Sequence, residues 1–349
     1  MGKAIKFLAP YQVGVEDYPE RPLQPDEVRL ATLYSGISAG TELSHYRGTN
    51  PGVSKKYDPA SRLFRPAEAT NWYPRSSGYE EVGRVAETGS AVEDIRVGDV
   101  VFGTWQHLST HIMKGETARK QRLLPGLDPV QGIFSQIGAI ALNGILDARI
   151  NVGEVVAVFG QGTPGLIATQ LAKLSGATVV VVDMYPKRLE LAASLGADVC
   201  LNPREVSPAE EIKRLTANRG ADVCVEISGT GPALQEAIRS VAYAGDVITL
   251  GFIQGEAKGL YLGEEFHHNR VRIICSQIGG INPVCTHRWD RARLDRTIME
   301  LQQRGALRLQ EIITGIYLYT DAAKAYIDLD QRPGEVIQSV LDFRDGGST

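Results

Sequence analysis

Along the chain the apolar residues change rhythm near residue 130. Before it, short runs such as "DEVRLATLYSG" (26–36) and "GRVAETG" (83–89) are broken by Gly, Pro and Asn, the pattern of strands separated by turns. This part reads as mostly β. Beyond it, a helical stretch "PVQGIFSQIGAIALNGILDAR" opens an alternation of apolar strands and amphipathic helices, which predicts a parallel sheet covered by helices. The strands "VVAVFG", "TVVVVD", "DVCVEIS", "DVITLGF" and "RIICSQ" are near-continuous and rich in Val and Ile, as strands buried on both faces are. Between them "PGLIATQLAKLSG", "PKRLELAASLGA", "EEIKRLTANRGA" and "GPALQEAIRSVAYAG" carry helical spacing. The helical patterns "RARLDRTIMELQQRGAL" and "TDAAKAYIDLDQ" follow residue 284 and predict a return to the first domain. The polar stretch 47–78 shows no sustained period and reads as a long functional loop over a cleft.

A length of 349 residues exceeds what one core usually supports. Residues 1–130, completed by 285–349, form the first expected domain, and 131–284 the second. A net charge of −4 offers no field for nucleic acid and no polybasic stretch for a membrane surface. "MGKAIKFLAP" lacks a signal-peptide core, and no uninterrupted apolar run approaches the roughly 20 residues of a bilayer span. The expected location is the cytoplasm. Cys200, Cys224, Cys275 and Cys285 show no C-x-x-C pair, so neither a disulfide framework nor a cysteine-rich zinc site is indicated.

Gly160, Gly162 and Gly165 form G-x-G-x-x-G directly after a strand and at the start of a helix. That context suits a pyrophosphate held on a helix N-terminus, and Pro164 is tolerated in the first helical turn. Asp183 ends the next strand about twenty residues on, where an acid binds the adenosine ribose. Its charge would repel a 2′-phosphate, so NAD is expected over NADP. Lys187 and Arg188 follow; Arg188 is a candidate to stack on adenine.

"SGISAGTELSHYRG", "GYEEVGRVAETGSAVEDIRVGDVV", "GQGTPG" and "RLELAASLGAD" together resemble the medium-chain dehydrogenase/reductase superfamily, the alcohol, sorbitol and threonine dehydrogenase group. The resemblance implies an α/β architecture: a GroES-like, mostly-β catalytic domain and a Rossmann doubly wound parallel sheet. It places Ser228, Gly251, Phe252 and Ser276 on the nicotinamide half of the cofactor and implies a homodimer through the sheet edge near "RIICSQIGG". Zinc members hold a metal with Cys, His and a third Cys or Glu. Here those positions fall on Ser38 or Ala39, on Tyr79, and near Ser135 or Gln136. Hydroxyls bind Zn²⁺ far more weakly than thiolate and imidazole do. No metal site is expected, as in zinc-less relatives similar to the bacteriochlorophyllide hydroxyethyl-group dehydrogenase.

Without a Lewis acid, alcohol oxidation needs a side chain to take the hydroxyl proton. Tyr79 is the first candidate, with Glu80 and Thr41 close by resemblance; His45 and His107 are further candidates. Glu42 and His111 are weighed as further polar candidates, His107 and Trp105 as pocket-lining residues, and Arg62, Arg65 and Arg75 as groups for an acidic or polyhydroxylated substrate. "HLSTH" spaces His107 and His111 like a metal pair but lacks a third ligand. The expectation is a zinc-independent, NAD-dependent dehydrogenase oxidising a secondary alcohol of a sugar, cyclitol or similar small molecule to the ketone. An NADPH-dependent enone or quinone reductase and an inactive dinucleotide-binding protein are the alternatives.

Overall fold

The Val- and Ile-rich runs of the chain's middle third become one parallel sheet in the computed structural model, which describes residues 1–67 and 72–344. Its order is Val199–Leu201, Thr178–Val182, Val155–Phe159, Ala221–Glu226, Val241–Thr249, Arg272–Cys275. Val155–Phe159 is central, and the chain builds outward from it first to one side and then to the other. Fully buried Phe159, Ile212, Cys224, Ile238 and Val247 belong to the core against one face.

Two details depart from the sequence reading. The helix Gly231–Ser240 stops where "VAYAG" begins, because Val241 already pairs with Ala221 in the sheet. The helix Arg291–Gln303 belongs to this unit, which spans Phe134–Ile312, whereas the sequence reading returned the chain to the first domain at 285. Packing explains the shift: a Cβ on Gly138 would lie 2.7 Å from Ile298, so the helix Phe134–Ala148 receives its neighbour at close range.

The other unit comprises Met1–Ile133 and the chain from Ile313. Its largest sheet runs Ile313–Leu318, Gln338–Asp342, Glu27–Ile37, Glu81–Thr88, Val100–Gly103, with Thr110–Lys114 also paired to Glu27–Ile37. A second sheet orders Gln12–Tyr18, Gly2–Ala9 and Arg75–Ser76. The helix Ala39–Arg47 follows Ile37 directly and packs, through Leu43 and Tyr46, into a core shared with Phe7, Tyr326 and Leu341. The expected long loop contains a hairpin, Lys55–Asp58 with Leu63–Pro66.

Pro129–Ala148, 20 residues long with an 18-residue window of mean hydropathy 1.2, is long and apolar enough to cross a bilayer, but 72% of that window is buried in the protein. Gln131, Ser135, Gln136, Asn143 and the charged Asp147 interrupt it, so the apolar run is not continuous.

Candidate active site

In the parallel-sheet unit the switch point lies between Thr178–Val182 and Ala221–Glu226, beside the carboxyl end of Val155–Phe159, where folds of this kind bind ligands. Gly160 has a φ of +99°, and a Cβ there would lie 2.9 Å from the Ser228 backbone. A Cβ on Gly165 would stand 1.9 Å from the Gly160 carbonyl oxygen, so the helix Thr163–Leu174 starts pressed against the loop. At Gly162 a Cβ meets only Arg188, at 3.8 Å. Packing within the protein does not require glycine there, and its absent Cβ leaves the backbone open to approach.

Asp183 Oδ2 accepts from the Gln161 amide at 2.7 Å and Oδ1 from the Tyr185 amide at 2.9 Å. The carboxylate thus ties the glycine loop to the next strand while keeping free lone pairs. The Arg188 guanidinium lies 3.8 Å from it and 5.0 Å over the Tyr185 ring. Burial lowers the Arg188 pKa, and Asp183 opposes that. Ser228 donates to Glu226 Oε1 at 2.6 Å, and the Gly251 backbone approaches Gly229 so closely that a Cβ would come within 2.3 Å. Ser276 Oγ accepts from Asn143 at 3.1 Å, while Phe252 is exposed. Sequence reasoning missed Glu226, Gln161 and Asn143. A turn with open space at its middle glycine, a helix N-terminus and an acid on the next strand fit a nicotinamide dinucleotide.

In the other unit the candidates gather around the helix Ala39–Arg47. The Tyr79 phenol donates to Ser38 Oγ, at the N-terminus of this helix, and stands 3.2 Å from Thr41 Oγ1. Burial and the charge of Glu80 hold the phenol above its ordinary pKa, against the pull of Ser38 and Thr41. Glu80 is wholly buried: Oε2 accepts from Gln338 at 3.3 Å and Oε1 has no partner. Burial first, then the charge of Glu42, push its carboxyl up to about 8, and the Ser38 hydroxyl and Gln338 amide pull the other way.

Behind this lies a second buried cluster. His107 Nε2 is 2.7 Å and the Tyr326 hydroxyl 2.5 Å from Glu42 Oε2, while the Ser38 amide donates to Glu42 Oε1 at 2.8 Å. Burial alone would raise the Glu42 pKa; His107, Tyr326 and the Ser38 amide outweigh it and hold the carboxylate below its usual range. On the far side of the imidazole, Ser35 Oγ is 2.5 Å from His107 Nδ1 and donates to Glu81 Oε1 at 2.9 Å. Burial raises Glu81 well above the ordinary value. His107 and Trp105, expected to line a pocket, are instead 1% and 4% exposed, drawn inward by Glu42 and by Thr32. His107 therefore stands behind the Tyr79 cluster, not within it. His111 stacks on Trp105 at 5.1 Å, so His107 and His111 do not converge as a metal pair. His45 faces Trp72 at 5.6 Å. Of the loop arginines, Arg65 is 3.6 Å from Asp58 on the exposed hairpin, far in character from the half-buried Arg75. Ser35, Glu81, Tyr326 and Gln338 were not visible as site residues in the sequence.

Fold and sites together define a two-unit, dinucleotide-binding oxidoreductase architecture. A profile of the family described as zinc-binding dehydrogenase matches residues 165–293. A D-guloside 3-dehydrogenase of Escherichia coli K12 is 33% identical over 98% of this chain and 100% of its own length. Among solved structures, a short chain alcohol dehydrogenase of Escherichia coli CFT073 complexed with NADH is 19% identical with a TM-score of 0.77, covering 98% of this chain and 99% of that one. A zinc-binding dehydrogenase of Sinorhizobium meliloti 1021 bound to NADP is 22% identical with a TM-score of 0.75 and the same coverage. The chain belongs to the zinc-binding dehydrogenase family of the medium-chain dehydrogenase/reductase superfamily. It is an oxidoreductase with a nicotinamide dinucleotide cofactor.

The residues do not fit the zinc ion for which the family is named. Ser38 and Tyr79 present hydroxyls engaged with each other, and the raised phenol keeps its proton. Among the described residues no group of three or more His, Cys, Asp or Glu is placed to hold a metal.

Proposed function

We propose that this enzyme oxidises a secondary alcohol of a hydroxyl-rich small molecule, a sugar or cyclitol, to the ketone, reversibly, with NAD and without zinc. The observation that carries the reading is the hydrogen-bonded set Tyr79, Ser38 and Thr41, hydroxyls standing where zinc relatives bring thiolate and imidazole. The name of the 33%-identical relative, D-guloside 3-dehydrogenase, supports a sugar hydroxyl as the reacting group.

Bound NAD supplies the hydride acceptor. The chain's own task is the proton. Tyr79 Oη receives the alcohol proton as it passes its own to Ser38 Oγ, and Ser38 passes its hydroxyl proton on to Glu80 when that carboxyl is ionised. Thr41 holds the phenol in line. In reduction the protons travel back. A relay suits Tyr79 better than a free tyrosinate, because burial and Glu80 oppose a standing negative charge on the ring.

Asp183 supports NAD over NADP through its negative charge, tempered by Arg188 at 3.8 Å. We place the enzyme in the cytoplasm as a homodimer joined at the edge strand Arg272–Cys275; light scattering that finds only monomer at micromolar concentration removes the dimer. The central test is turnover of a panel of glycosides and polyols with NAD and with NADP, before and after chelation, beside metal analysis. Turnover with NAD that survives chelation is expected. One zinc per chain whose removal abolishes turnover sinks the metal-free reading, and a strong NADPH preference on enones sinks the alcohol reading. Asp183→Asn should narrow the gap between NAD and NADP affinity, since it keeps an acceptor but removes the charge that repels a phosphate.

A further inference from the structure

One turn along the helix Ala39–Arg47 from Thr41, on the same face, stands His45. The residue is 5% exposed; its ring lies 5.6 Å from the Trp72 ring and 6.1 Å from that of Phe7, and its Nδ1 has no partner. The Tyr73 hydroxyl donates to the His45 carbonyl and so fixes the segment that carries Trp72 to the helix end. The Arg75 guanidinium carbon sits 4.1 Å over the Trp72 ring, and Arg75 is held on its strand opposite Phe7. Trp72 Nε1 and Arg75 Nε are likewise buried without partners. Among the described residues, the charge that acts on Arg75 is that of Tyr73.

Three unpartnered polar nitrogens in one cluster are unusual, because buried polar groups are nearly always hydrogen-bonded, and exceptions call for a cause. Two are obligate donors, the indole and the guanidinium; the third, on a histidine that burial and Arg75 keep neutral, either donates or accepts. An aromatic ring beside a mixed donor and acceptor set matches a ligand with apolar C–H faces and a rim of hydroxyls, each able to accept and donate. A carboxylate only accepts, and leaves an accepting imidazole unmatched.

We propose that His45, Trp72 and Arg75 form the subsite for the ring of a neutral pyranoside, beside the Tyr79 hydroxyl cluster. The assignment rests on reading that cluster as the alcohol-oxidising site. It makes the substrate a cyclic, uncharged sugar and sets open-chain polyols and uronates at a disadvantage.

The test is binding of a neutral methyl pyranoside to the NAD-saturated enzyme, by calorimetry and by indole fluorescence, beside the matching uronate and an open-chain polyol. The pyranoside should bind best and change the fluorescence. Trp72→Phe should abolish that change, since Trp105 and Trp289 remain. Trp72→Leu and Arg75→Leu should each weaken pyranoside binding about tenfold or more, while NAD affinity holds. Gly52→Ala gives the same disturbance without touching a polar group, because its Cβ would lie 2.2 Å from the Trp72 ring. Unaltered pyranoside affinity in folded Trp72→Leu and Gly52→Ala overturns the subsite; so does a uronate that outbinds the pyranoside through Arg75. Tyr79→Phe separates the two readings. Pyranoside binding that persists while no alcohol turns over in any variant or in wild type leaves the subsite standing and removes the dehydrogenase reading.

Discussion

The Tyr79 phenol donates its hydrogen bond to Ser38 Oγ, so the proton a dehydrogenase must move is already committed to a path leading into the protein. Tyr79→Phe keeps the ring and removes that path. Turnover should fall about 10²- to 10⁴-fold, the usual weight of a general acid–base group, with NAD affinity unaltered. Ser38→Ala should lower turnover too, because the phenol then has only Thr41 at 3.2 Å to receive its proton. Wild-type turnover in Tyr79→Phe reduces the tyrosine to a spacer.

Glu80 gives the relay its pH dependence. With its carboxyl pushed up to about 8, oxidation should accelerate as pH rises through that value, and Glu80→Gln should flatten the profile. Stability runs the opposite way. The folded pKa lies above the unfolded one near 4.5, so the folded chain binds the extra proton and stability is lost as pH rises from about 4.5 through about 8. Glu80→Gln should therefore melt higher than wild type at pH 9 and show no such gain at pH 4, with each kcal/mol regained worth roughly 2–4 °C or less in a chain this long. A melting difference that does not change with pH contradicts a raised Glu80.

His107 has a different office. Its Nε2 lies 2.7 Å from Glu42 Oε2 in a place closed to water. His107→Leu leaves a buried carboxylate with only Tyr326 and an amide, which should cost about 3–5 kcal/mol in denaturant unfolding. Adding Glu42→Gln should recover much of that loss, since the stranded charge is then gone. Additive losses in the double variant mean that the two side chains do not act as a pair.

How much of this was legible follows from how far apart the partners lie. The parallel strands announce themselves because burial on both faces demands unbroken apolar runs. The glycine turn and Asp183 are neighbours in sequence as well as in space. "VAYAG" misled because Ala and Tyr suit helix and strand alike, and only pairing with Ala221 decides. The contact of Tyr326 with Glu42 spans 284 positions, and no local pattern anticipates it. Glu80 and Glu81 look like surface charges in a strand; pairing of Glu81 with Ser35 and Gly103 buries that strand, and Gly36 leaves room for the Glu80 carboxyl, which a Cβ there would approach to 2.7 Å.

Two glycines of one turn provide the sharpest check on the cofactor site. Gly165→Ala places a methyl group 1.9 Å from the Gly160 carbonyl oxygen, a backbone atom that cannot rotate away. It should destabilise the fold by about 1–3 kcal/mol or more, and cofactor binding should fail along with it. Gly162→Ala meets nothing nearer than Arg188 at 3.8 Å, so the folded chain should tolerate it and melt as wild type does. Its methyl group would point where a pyrophosphate must touch backbone, and NAD affinity should drop at least tenfold, about 1.4 kcal/mol, measured by calorimetry. Loss of affinity without loss of stability at Gly162, beside loss of both at Gly165, separates a glycine kept for a ligand from one kept for packing. Equal NAD affinity in Gly162→Ala and wild type would mean that the dinucleotide lies elsewhere.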